Sequence, residues 1–103
     1  MNAFEIYLNY NAACSQAKEL DNIARKLQNN AEHYLNELSR HLDSKWNGDA
    51  SKEFVAKERQ LIGKMTAEAD SLQQVAETIR RIARRTYETE MKALELSQKR
   101  TYS

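Results

Sequence analysis

Few side chains in this sequence could do chemistry, and their spacing limits what they could do. His33 and His41 stand eight residues apart with no cysteine near either, which is not the spacing of a helical zinc motif. Cys14 is the single cysteine, so it closes no disulfide within the chain and makes no zinc site by itself. Beside Ala13 it reads as a small residue at or next to a packed face. No Ser-His-Asp order, glycine-rich phosphate loop or convergent pair of carboxylates can be drawn. The chain is therefore expected not to be an enzyme and to hold neither cofactor nor metal.

The strongest charge cluster is Arg80-Arg81-Ile82-Ala83-Arg84-Arg85, four arginines forming two i,i+4 pairs around Ile82. Such a cluster can bind phosphates. Here Glu77 and Glu88 bracket it, no aromatic residue interleaves for base stacking, and the net charge of the whole chain is only +1. It reads instead as a solvated face or as an ion-pairing edge toward a partner helix, with no nucleic acid bound.

The elements that position these residues follow from the hydrophobic period. The 103 residues allow one domain, 1–103. A charged fraction of 30% and a mean hydropathy of −0.84 exclude stable membrane insertion through an apolar span. There is no proline, no alternating Val/Ile/Thr run and no Asn-Gly between alternating apolar residues, so strands are not expected.

Apolar or small residues recur at Ile6, Tyr10, Ala13, Ala17, Leu20, Ala24, Leu27, Ala31, Tyr34, Leu38 and His41, in steps of four and three. This is one helix over about 4–42, roughly 60 Å long at the usual rise. Turn formers gather over about 43–49, where the chain reverses. A second periodic stretch over about 50–98 runs through Phe54, Leu61, Met65, Leu72, Val75, Ile79, Ile82, Thr86, Ala93 and Leu96, with fraying expected from Lys99 onward. Asn47 or Asp49 can cap it, Asp49 being favoured because its charge also suits the helix dipole. Gly63 inside it marks either a close backbone approach or simple tolerance.

The predicted fold is all-α, an antiparallel helical hairpin. Leu20, Leu27, Leu38, Phe54, Leu61, Leu72, Ile79 and Ile82 are its expected hairpin or dimer seam. Ile23, Leu35, Ile62 and Ala83 lie beside the main seam and widen the apolar face beyond what one hairpin covers. Two hairpins are therefore expected to pair into a four-helix bundle.

The densest signal lies at the reversal: Trp46-Asn47-Gly48-Asp49-Ala50-Ser51-Lys52-Glu53-Phe54. Glycine permits a positive φ there, and the only tryptophan can fold over the hairpin end against Phe54. This W-x-G, with Ala50 two residues on and an aromatic four beyond that, resembles the signature of the WXG family, the small Esx-type substrates of type VII secretion. The resemblance spans the whole chain through length, hairpin layout and motif position. It implies that the Trp46 and Gly48 turn contributes to recognition, while the residues alone read as a hydrophobic plug and a turn; the two readings are compatible.

Family members also carry Y-x-x-x-D/E late in the second helix, where it acts with a partner's W-x-G as an export signal. Here Met91 occupies the acidic position after Tyr87, and the nearest acid on that face is Glu90. Residues three and four apart are both helix neighbours, so Tyr87 with Glu90 is the candidate signal, in a form that departs from the family pattern. A partner could equally supply the complete signal, and periodicity alone reads Tyr87 as a seam-edge aromatic beside Ile82 or Ala83.

By resemblance, the chain is made in the cytoplasm. It pairs there as a homodimer, or as a heterodimer with another WXG-like chain or the helical domain of a larger secreted effector. A secretion ATPase then recognises it and exports it to the cell surface or medium, in a setting of virulence or interbacterial competition. Met1 to Leu8 shows no cleavable signal peptide, so export is expected to take another route. The rival expectations are a cytoplasmic adaptor or chaperone-like hairpin that is not exported, and a helical nucleic-acid-binding protein that uses the arginine cluster.

Overall fold

A computed structural model describes residues 1–43 and 48–102. They form an antiparallel hairpin of two α-helices, α1 over Ala3–Asp43 and α2 over Asp49–Tyr102, with no strand among the described residues. The all-α hairpin expected from the hydrophobic period is thus the fold, with each helix slightly longer than its pattern. α2 continues through Tyr102, past the point where fraying was expected.

The helix starts explain themselves locally. The Asn2 carbonyl accepts the Ile6 N–H at 3.1 Å, and its side-chain Oδ1 accepts the Glu5 N–H at 2.8 Å. One side chain thereby satisfies a backbone donor that the helix itself leaves unpaired. At α2 the Gly48 carbonyl accepts the Lys52 N–H at 3.2 Å, which puts Gly48 in the capping position and Asp49 one residue inside the helix. This corrects the expectation for Asp49. Gly48 has φ of 135°, a region side chains rarely adopt, so the backbone freedom of glycine suits the cap position.

The chain divides into two compact units. The first joins Met1–Asp21 of α1 to Gln74–Ser103, and it buries Ile6, Ala17, Ala76 and Ala83. The second, Asn22–Gln73, buries Ala24, Ala31, Leu38, Ser51 and Ala69. Six of the eight buried apolar residues among those described are alanine, spaced by sevens on each helix: 17, 24, 31 and 69, 76, 83. A methyl at three successive heptads of each helix lets backbones approach more closely than leucine would there.

The expected seam of α1 is buried or half-buried except at Tyr34 and His41, which are exposed, and that of α2 is displaced. Ala83, expected beside the main seam, is buried, while Phe54, Leu61, Val75, Ile82 and Leu96 are exposed. They occupy the row immediately before Ala69, Ala76 and Ala83. The physical reason is that the inner row is chosen by fit at short backbone separation, which small residues satisfy and bulky ones do not.

Gly63 is exposed, and a Cβ built on it meets nothing within 4 Å. Of the two readings, tolerance is the correct one. Gly63→Ala should therefore stabilise the chain by up to about 1 kcal/mol, through helix propensity and a less flexible unfolded state. A shift in the urea midpoint at unchanged slope is the measurement; a loss of stability would mean the position is crowded.

Candidate functional site

The first unit carries an apolar groove of about 260 Å³. From α1 it is lined by Ile6, Asn9, Tyr10 and Ala13, and from α2 by residues that include Ile82, Ala83, Tyr87 and Glu90. It arises where the small residues Ala13 and Ala83 leave space between flanking bulk. Its lining offers one carboxylate and two phenols, with no histidine, lysine or thiol.

Both members of the candidate export signal face this groove. The Tyr87 ring is half-buried and lies 5.1 Å from the Tyr10 ring, centroid to centroid, at 47°. A tilted pair of this kind contributes roughly 0.5 to 1.5 kcal/mol beyond the area it buries. Tyr87 is thus tied to the hairpin's own packing and shares the groove with Ile82 and Ala83. Glu90 is half-buried in the same lining, and Met91 is half-buried as well.

Arg80 forms an ion pair with Asp21, from the other helix of the same unit. Arg81, Arg84 and Arg85 are exposed, and with Glu77 and Glu88 they line a shallow surface depression. One arginine therefore ties the two helices together and three face solvent.

In the second unit, the His41 and Phe54 rings meet edge to face at 5.9 Å near the chain reversal. Trp46 lies outside the described residues, and Gly48 is exposed at the helix start. Of the expected seam, Leu38 is buried and Leu20, Leu27, Leu72 and Ile79 are half-buried, whereas Phe54, Leu61 and Ile82 are exposed. His33 pairs with Glu37 one turn away at 3.2 Å and reaches no metal-ligating cluster among the described residues. No described helix is long and apolar enough to cross a membrane.

Sequence reasoning missed two features here, Tyr10 as the partner of Tyr87 and Asp21 as the partner of Arg80. Each joins positions more than fifty residues apart in the chain, which no local spacing encodes. Alignment of the two heptad patterns in antiparallel register was the one available signal.

The chain is thus an all-α hairpin with an apolar groove in its first unit and bulky apolar residues left exposed on both helices. The sequence profile of the PPE family matches residues 10–96, and the chain belongs to that family. This is a type VII secretion-associated family and not the WXG family itself, so the resemblance carried by Trp46 and Gly48 is corrected in family while the association with type VII secretion stands. Members of the family pair with other proteins associated with that secretion system. No curated protein and no solved structure matches the chain at a significant level.

Proposed function

We propose that this chain is a substrate of type VII secretion, or the co-secreted partner of one, that acts by protein–protein recognition and not by catalysis. The observation that carries the reading is the inversion of bulk: alanine fills the interior while Phe4, Tyr7, Leu8, Val75, Ile82 and Leu96 of the first unit stay exposed. Full burial of such a side chain is worth about 1.5 to 3 kcal/mol, and these are already about half covered, so each contributes roughly half of that and several together offset the cost of association. Pairing into a four-helix bundle is the arrangement that covers them.

In this reading the chain pairs in the cytoplasm before export, with itself or with another helical chain, which includes the helical domain of a larger effector. The secretion ATPase then reads surface features of the pair. Trp46 and Gly48 form one part of the signal at the reversal, and Tyr87 with Glu90 the other. The packing of Tyr87 on Tyr10 supports this by holding the phenol in one place before any receptor binds.

The test compares culture supernatants of isogenic strains with and without the secretion ATPase. The protein should reach the supernatant only when the ATPase is present, and Trp46→Ala should lower export while leaving helical circular dichroism nearly intact. An unchanged distribution without the ATPase would return the chain to the role of an intracellular adaptor.

A further inference from the structure

The groove of the first unit has an aliphatic wall that includes Ile6, Ile79 and Ala83. Against that wall stand two phenol rings, Tyr10 and Tyr87, and one charged group, the half-buried carboxylate of Glu90. The neutral side chains of Asn9 and Thr86 complete the lining at exposed positions. An apolar lining into which a few polar groups converge is the ordinary make-up of a small-molecule site.

Glu90 has no cation of its own. Its neighbours one turn away along α2 are Thr86, Tyr87, Ala93 and Leu94, none of them charged. No lysine, arginine or histidine lines the groove from either helix. Met1 lines the adjoining depression together with Glu90, yet no ion pair joins Glu90 to the N-terminal ammonium or to any side chain among the described residues. A carboxylate half removed from water and without a counter-charge favours a cation beside it. The Tyr10 and Tyr87 rings, 5.1 Å apart at 47°, add to that preference. The electron-rich face of such a ring attracts an alkylammonium within about 6 Å of its centre.

From this arrangement we infer that the groove is a binding site for a small organic cation, a protonated or quaternary amine carried on an apolar body. The amine sits by Glu90 and the two phenol rings, and the apolar body lies along the aliphatic wall. The volume of about 260 Å³ falls just under the usual span of ligand pockets, about 300 to 1,000 Å³, so the ligand is small. A metal ion is a poor match, because one carboxylate is too few ligands and no metal-holding cluster exists among the described residues. An acid meets the charge of Glu90, and a neutral molecule leaves that charge uncompensated. The two rings pack on each other without a ligand, so binding carries little cost of ordering them. Both walls belong to one unit of one chain, so the inference does not rest on the pairing proposed above.

The experiment titrates the full chain with three probes that share one apolar body: phenethylamine, 2-phenylethanol and phenylacetate, a cation, a neutral molecule and an anion at neutral pH. Nuclear magnetic resonance should show shifts centred on the Tyr10 and Tyr87 ring signals. The amine should bind roughly tenfold more tightly than the alcohol, and the acid more weakly than either. Glu90→Gln, checked for helicity by circular dichroism, should remove most of the amine's advantage and leave the alcohol's affinity unchanged. Equal affinity for amine and alcohol overturns the cation site, and an advantage that survives Glu90→Gln overturns the role of that carboxylate. Tighter binding of N-acetyl-lysine methylamide than of phenethylamine overturns the free ligand in favour of a protein side chain. Uptake of no probe overturns the inference in any state of assembly. Sedimentation of the same sample reads the pairing separately, and a single-chain mass there overturns the pairing and not this site.

Discussion

Leu38→Ala should cost about 2 to 5 kcal/mol of stability, read as a fall in the urea midpoint at fixed protein concentration. Leu38 is 3% exposed, and among the described residues it is the one large aliphatic side chain buried in the second unit. Truncation removes a buried isobutyl group and leaves a cavity that neighbouring alanines are too short to fill. Leu35, three residues earlier on the same helix, is 50% exposed, so Leu35→Ala should move the midpoint by no more than about 0.5 kcal/mol. A small domain holds only about 5 to 15 kcal/mol in total, so the first substitution should approach loss of fold. Equal effects from the two variants would mean that Leu38 and Leu35 share one environment, contrary to the observed packing.

The second large effect runs against the usual heptad rule. Placing leucine at a seam position of a helical pair ordinarily adds buried apolar area, worth about 1.5 kcal/mol or more. Ala76→Leu should instead destabilise by about 1 to 3 kcal/mol, because Ala76 is wholly buried and its seven-spaced neighbours Ala69 and Ala83 are buried with it. The added atoms can enter only by forcing the helices apart or twisting side chains off their rotamers. Thermal unfolding monitored at the helical band, with the wild type at equal concentration, gives the sign. A rise in the midpoint would show that the seam has room, and the close-approach account of the alanines would fall with it.

The two variants isolate what heptad spacing leaves open. In α1 the spacing located the interior row directly: Ile6, Ala17, Ala24, Ala31 and Leu38 were expected in the seam and are buried. In α2, two adjacent rows share the same period, one of bulky residues and one of alanines, and hydrophobicity ranks the bulky row first. Ser51 near the head of the second helix is buried although its side chain is polar. The candidate site shows the same split. Tyr87 and Glu90 were singled out by the family resemblance, but the groove they line takes residues from both helices, and the Tyr10 ring against which Tyr87 packs belongs to the other one.

The sequence by itself determined that there are two long helices, that they break between Asp43 and Asp49, and which row of α1 turns inward. Unbroken periodicity without proline is a local property of the chain, and local hydrogen bonding realises it wherever the helix packs. Only tertiary structure decided which row of α2 turns inward, and hence which bulky residues are left exposed. That choice depends on how closely two backbones can approach, a quantity fixed jointly by side chains from both helices and carried by neither alone.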